Sequence, residues 1–191
     1  MRRNDRVDQA FEAHPRTGFL PAALRAEAGA DRPLPIGGGQ TSSQPRTVAA
    51  MLRLLEVPPG ARVLDVGAGS GWTTALLGHL VGPQGVVVGV ELDPDLAAWG
   101  ALNVSAAGQP WTSLLPAEPG VLGRPDEAPF DRVLVSAEAR ELPQALVRQL
   151  TPVGRMVIPV RREMLLVERT GPADDDLRVT GHGSYRFVPL R

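Results

Sequence analysis

A chain of 191 residues is long enough to bury a full hydrophobic core without disulfide or metal staples. It holds no cysteine, which excludes disulfides, thiolate nucleophiles and cysteine-based zinc sites, and only His14, His79 and His182, in unrelated sequence contexts, are left as histidine ligands; no metal site is expected. A formal net charge of −1, with arginine as every basic residue, argues against duplex nucleic acid or an anionic membrane as a partner held by bulk electrostatics.

The N-terminal residues Met1-Arg2-Arg3-Asn4 lead into a polar helix with no signal-peptide core, and no apolar run approaches a membrane span, so a cytoplasmic protein is expected. Apolar Val7, Ala10 and Phe11 predict one short helix, and Phe19-Leu20-Pro21 then turns the chain into a loop. Residues 31–44 are too rich in Pro and Gly for a regular element and too apolar for a disordered linker, which predicts a structured loop over a site. Pro45 suits the first position of a helix, with Ser43 near its cap, and Val48, Met51, Leu52 and Leu55 give that helix a core-facing stripe.

Beyond the Pro58-Pro59-Gly60 turn, strands are predicted at 62–66, 86–90, 111–115, 132–136 and 155–160. Helices are predicted at 73–81, 95–107 and 143–150. Strands alternating with helices imply an α/β fold: a Rossmann-like, doubly wound, mostly parallel sheet with helices on both faces. Residues 164–169 and 185–188 have no helix between them and predict an antiparallel edge. The acidic run Asp174-Asp175-Asp176 beside Gly171-Pro172 reads as a solvated hairpin turn. The expected organisation is one domain over 1–191: N-terminal helices and a covering loop in 1–56, a Rossmann-like core in 57–160, and C-terminal antiparallel strands in 161–191.

Chemistry enters where the buried strand Arg62-Val63-Leu64-Asp65-Val66 runs into Gly67-Ala68-Gly69-Ser70-Gly71 and then a helix. Glycines admit positive φ and remove the Cβ atoms that would keep a ligand from the backbone, and helix N-terminal amides then face that ligand. Glu91, at the end of the second strand, stands where a carboxylate accepts hydrogen bonds from both ribose hydroxyls. A dinucleotide fingerprint needs glycine at position 72, where this chain has Trp72. The alternative, a tight turn with no ligand, has to explain why strand, Asp65, glycines, helix, second strand and Glu91 all fall in register.

The sequence resembles class I S-adenosylmethionine-dependent methyltransferases, and within them the protein-L-isoaspartate O-methyltransferase family, of which it looks like a short, divergent member. The likeness lies in Ala10-Phe11 with Pro15-Arg16 and Phe19-Leu20-Pro21, in Pro35-Ile36-Gly37 through Gln40-Thr41-Ser42-Ser43-Gln44-Pro45, in residues 62–71, in Pro129-Phe130-Asp131, and in the closing Tyr185-Arg186-Phe187-Val188-Pro189-Leu190. The glycine block is common to many methyltransferases; the block from Gln40 to Pro45 is far more specific. The resemblance implies S-adenosylmethionine as cofactor and methylation of the free carboxylate of L-isoaspartyl residues in a polypeptide, followed by closure to a succinimide that partly reopens to aspartate. It also implies Ser43 at the reacting carboxylate, Thr41 and Ser42 around the methionine part of the cofactor, the glycine turn (Gly67, Gly69, Ser70, Gly71) with Asp65 at the cofactor, and Glu91 and Leu92 at ribose and adenine. Ser43 has a competing reading as the cap of the helix starting at Pro45.

Three departures accompany the likeness. Pro119 stands where the family has an adenine-contacting aspartate, so Glu118, followed by Gly120, is either its replacement or an exposed loop acid. Trp72 replaces a smaller residue and either walls the cofactor or packs on the sheet. The sequence ends at Arg191 directly after the Val-Pro-Leu segment where longer members continue, and Glu138 puts a carboxylate near the expected substrate side. Methylation of a dedicated peptide partner and a non-catalytic cofactor-binding module are the competing functions; a monomer is expected.

Overall fold

Apolar periodicity at the N-terminus gives helix α1 (Arg6–Ala13), capped by Asp5, whose side chain accepts from the Asp8 amide. The computed structural model describes residues 5–173 and 175–191. Two 3-10 segments, Arg16–Phe19 and Ala22–Glu27, follow α1 where a plain loop was expected. The stretch expected to be irregular also forms an element: β1 (Leu34–Gly37) and β2 (Gln40–Ser42) pair antiparallel as a ribbon. Its tip is Gly37-Gly38-Gly39, all at positive φ (101°, 57° and 73°), a conformation that glycine supplies without a Cβ clash. Composition read the tip and missed the two short arms. Helix α2 (Pro45–Leu55) then buries Val48, Met51, Leu52 and Leu55 as predicted.

The central sheet holds β3 (Arg62–Val66), β4 (Val86–Glu91), β5 (Thr112–Pro116), β6 (Phe130–Val135), β7 (Leu150–Val160), β8 (Glu163–Arg169) and β9 (Leu177–Ser184). Its order is β5-β4-β3-β6-β7-β8-β9, parallel from β5 through β7 and antiparallel for β8 and β9. Helices α3 (Trp72–Val81), α4 (Pro94–Ala106) and the single turn α5 (Gln144–Val147) make the crossovers. The order reverses between β3 and β6, and in a doubly wound sheet the crevice at the carboxyl ends of such strands is the ligand site.

Strand period divides the core. Val63, Val87, Leu134 and Val157 pack with α1, α2 and α3 on one face, while Leu64, Val66, Val88, Val133, Val135 and Ile158 pack with α5 on the other. The sequence placed a helix over 143–150; the structure ends it at Val147 because β7 begins at Leu150, five residues before the predicted strand start. The edge differs too: β8 pairs with β9, not with 185–188, which leaves the sheet and returns to Glu138 through the Glu138 N–H to Val188 O and Leu190 N–H to Glu138 O bonds (2.7 and 2.8 Å). The turn expected at the acidic run lies between β8 and β9 at Asp175 and Asp176; Asp174 is outside the described residues. Among the described residues no helix is long and apolar enough to cross a membrane.

Two histidines with nothing in common in the sequence meet: the His14 and His79 rings lie 5.7 Å apart, and His14 Nε2 is 3.0 Å from the Gln109 amide. Burial and the neighbouring imidazole hold His14 below its ordinary pKa. The cluster joins α1 to α3, and Trp72 strengthens the joint by donating from Nε1 to His14 O at 2.9 Å.

Candidate functional site

β3 delivers the chain to the glycine turn, and the turn is sewn to β4: Gly67 N–H and Ala68 N–H both donate to Val90 O (2.9 and 3.0 Å). Gly67, Gly69 and Gly71 have φ of 74°, 56° and 87°, which explains why all three positions are glycine. They serve different ends. Gly67, Gly69 and Ser70 wall a cavity of about 820 Å³. A Cβ on Gly69 would stand 3.1 Å from Ile36 Cδ1 of the ribbon, so turn and ribbon are in close contact there and a side chain at this position would press on Ile36. Gly71 is absent from the wall; a Cβ there would stand 2.6 Å from Val104 Cγ2 and 3.0 Å from Gly100 O, which makes it the point of contact between α3 and α4.

Glu91 ends β4 on the cavity wall at 7% exposure. Its Oε2 accepts from Gly69 N–H (2.9 Å) and its Oε1 from Asp93 N–H (3.0 Å), so the carboxylate is fixed by the turn on one side and by the start of α4 on the other. Each oxygen keeps a lone pair for a ligand. Asp93 also lines the cavity and caps α4, accepting from Asp95 N–H and Leu96 N–H at 3.0 Å each. Leu92 sits between the two acids on the wall, exposed at 44%.

Asp65 takes a place the sequence did not indicate. It is fully buried behind the wall, and its Oδ2 accepts from Thr73 Oγ1 and Thr74 Oγ1, both at 2.7 Å, while Oδ1 has no partner. Desolvation raises its pKa to about 6 despite the two hydroxyl donors, with Glu91 adding repulsion. It ties the turn to the first turn of α3 and does not face the ligand space. Thr73 and Thr74, one and two residues past Trp72, were the available signal.

The ribbon carries the second group of expected residues to the same cavity. Thr41, Ser42 and Ser43 all line it, with Thr41 exposed, Ser42 buried and Ser43 half-buried. The cap of α2 is Gln44, and no side chain completes it, so the capping role does not account for Ser43. Ser42 is held from behind by Arg16, whose Nε donates to Ser42 Oγ (3.0 Å) and whose second guanidinium nitrogen donates to Ser42 O (2.7 Å). Arg16 was noted in the sequence only as part of a shared block. Trp72 reaches the cavity wall, and its ring meets Phe11 of α1 edge-on at 5.2 Å with Arg16 over it at 5.5 Å.

Glu118, Pro119 and Gly120 lie on the wall, with Glu118 exposed and Gly120 at φ 79°. At the opposite end the wall is made by Ser136, Ala137, Arg140 and Glu141, with residues 188–191 beside them. Glu138 is half-buried and off the wall, so the expected conflict between an acid and an incoming carboxylate does not arise from it.

The family model for protein-L-isoaspartate(D-aspartate) O-methyltransferase matches residues 1–191. The protein-L-isoaspartate O-methyltransferase of Methanopyrus kandleri is 45% identical over 98% of this chain and 84% of its own length. A solved protein-L-isoaspartate O-methyltransferase superposes with a TM-score of 0.87 at 27% identity, over 98% of this chain; the match spans 61% of that longer chain. A structure from Plasmodium falciparum assigned to the same activity and holding S-adenosyl-L-homocysteine shares the fold, with a TM-score of 0.86 at 24% identity over 99% of this chain and 91% of its own. With the family model and the Methanopyrus relative both spanning nearly the whole chain, this protein belongs to the protein-L-isoaspartate O-methyltransferase family.

Proposed function

We propose that the protein methylates the free α-carboxylate of L-isoaspartyl residues in polypeptides, using S-adenosylmethionine, and that it works as a cytoplasmic monomer in the repair of damaged chains. One observation carries the reading: Ser43 with its neighbours and the Gly67, Gly69 and Glu91 group, 24 or more residues apart in sequence, wall the same cavity.

The residues present suit the cofactor. The turn is free of Cβ atoms at Gly67 and Gly69, Glu91 offers two fixed carboxylate oxygens to a ribose, and no basic residue lies on the turn to repel a sulfonium. Gly67, Gly69, Ser70 and Glu91 would hold it, Leu92 and Gly120 would flank the base, and Thr41 and Ser42 would cover the methionine part. When bound, S-adenosylmethionine supplies a methyl group already activated on sulfur.

The chain's own residues then have little bond chemistry to perform. A carboxylate is ionised at neutral pH and needs no general base. Alignment and exclusion of water remain. Ser43, on the wall, would donate a hydrogen bond to one carboxylate oxygen and leave the other free to face the cofactor. The ester formed is a better electrophile than the acid; attack by the neighbouring backbone nitrogen expels methanol, closes the succinimide, and hydrolysis returns part of it to aspartate.

Ser43→Ala is expected to lower turnover on an isoaspartyl peptide by about 10- to 100-fold, while S-adenosylhomocysteine affinity and melting temperature stay near wild type. A sharp fall in melting temperature with turnover per folded molecule preserved would contradict the assignment.

A further inference from the structure

The structure assigns Arg16 a role in substrate binding: its buried positive charge, one side-chain layer behind Ser42 and Trp72, is the electrostatic counterpart of the substrate's carboxylate. The inference rests on the carboxylate-methylating reading above.

Arg16 is 4% exposed, yet every partner it has is neutral. Its five hydrogen bonds go to Ser42 Oγ, Ser42 O, Ala30 O and, twice, Arg32 O, at 2.7 to 3.2 Å. Buried charges are normally paired with an opposite charge, because desolvating an unpaired ion is costly. Among the described residues Arg16 forms no ion pair. Asp31, the acid whose field reaches it, is exposed and is engaged by Arg46 through its backbone N–H (3.0 Å) and its Nε (3.1 Å). Burial, and then Arg32, lower the Arg16 pKa to about 10, which leaves it protonated at neutral pH.

A guanidinium fully satisfied by carbonyls and a hydroxyl still projects its charge. The face it projects toward is the wall formed by Ser42 and Trp72, beside Ser43. A second anion of the chain is missing because the anion arrives with the substrate. Arg16 touches neither substrate nor cofactor and is therefore a positioning residue, acting through the field at the wall and through the Ser42 backbone that carries Ser43. With an effective dielectric near 20, a carboxylate held on the order of 8 Å from a unit charge would be favoured over a neutral group by roughly 30-fold. A merely structural Arg16, pinning Ala30, Arg32 and Ser42 together, gives no such discrimination between anionic and neutral ligands.

The test is binding to the S-adenosylhomocysteine complex, by calorimetry, of two matched peptides: an isoaspartyl peptide and its α-carboxamide twin. Wild type is expected to prefer the carboxylate by tenfold or more, and Arg16→Met to lose that preference by weakening the carboxylate peptide alone, with Arg16→Lys restoring part of it. Equal weakening of both peptides, together with S-adenosylhomocysteine, means a structural residue and overturns the inference; so does an Arg16→Met preference unchanged from wild type. A second measurement needs no variant. A buried charge is poorly screened, so the wild-type preference should persist within about twofold from roughly 50 to 500 mM salt, and its collapse at high salt would point to surface arginines such as Arg140 instead. Failure of wild type to bind either peptide would count against the isoaspartyl reading itself, a different outcome from all of these.

Discussion

Asp65 and Glu91 are both acids at strand ends beside one glycine turn, and their surroundings give them opposite work. Glu91 keeps its carboxylate on the wall with two backbone amides fixing its oxygens. Glu91→Ala is expected to raise the S-adenosylhomocysteine dissociation constant by about 10- to 100-fold, since charged hydrogen bonds of this kind contribute about 1.5 to 3 kcal/mol; calorimetry showing an unchanged constant would remove Glu91 from the ribose site. Asp65 is sealed away, with its pKa raised from 3.8 to about 6. In that interval the native state binds the proton and the unfolded state does not, so stability falls as pH rises from about 4 to 6, by about 3 kcal/mol. Asp65→Asn removes this slope: relative to wild type, its unfolding free energy should decline by about that amount between pH 7 and pH 4, measured by denaturant titration. A pH-independent difference would show that Asp65 is not protonated on folding in this way. The identity of both acids was readable from the sequence, but their division of labour was not. Strand period turns Asp65 toward α3, opposite to Leu64 and Val66, yet only the fold brings the Thr73 and Thr74 hydroxyls to it.

The same limit holds for elements. Strands β3 and β4 and helices α2 and α3 were predicted within one residue at each end, because α2 has a strong apolar period, the other three are short, largely apolar buried runs, and all have clear stops at Pro, Gly or a polar turn. The ribbon β1–β2 was missed because arms of four and three residues are too short to show alternation. β9 was missed because it is an exposed edge strand, LRVTGHGS, whose pairing with β8 leaves no apolar face to read. The ribbon nevertheless decides whether the cavity has a cover. A Cβ on Gly38 would stand 2.6 Å from Asp93 Oδ2, so Gly38→Val pushes the tip away from the start of α4. It should weaken S-adenosylhomocysteine binding about tenfold while shifting the melting temperature by only a few degrees, as expected for a peripheral two-stranded element. Gly71→Ala makes the contrasting case: a left-handed backbone and a contact at 2.6 Å inside the α3–α4 joint predict a loss of about 3 kcal/mol or more in unfolding free energy. Equal effects of the two substitutions on stability would contradict the separation of cover from scaffold.

At the scale of the whole molecule, a seven-stranded sheet with its reversal at β3 and β6 puts three segments distant in sequence around one cavity: the ribbon with Ser43, the turn with Glu91, and the 136–141 stretch backed by residues 188–191. The mostly parallel character of the sheet was legible because strand and helix alternate in the sequence; its strand order and the meeting of 185–190 with Glu138 were not, the latter resting on backbone bonds with no residue signature. Ligand that enters such a cavity binds only the folded chain, and at a hundred times its dissociation constant S-adenosylhomocysteine should add about 2.7 kcal/mol, or about 5 to 10 °C in melting temperature for a chain of this size. The central claim, that the cavity joins a cofactor to an isoaspartyl carboxylate, is tested most directly by transfer of tritiated methyl groups from S-adenosylmethionine to a synthetic isoaspartyl peptide beside its aspartyl twin. Label in the isoaspartyl peptide alone, lost as methanol as the succinimide closes, is the predicted result; equal label in both peptides, or none in either at saturating cofactor, would contradict it.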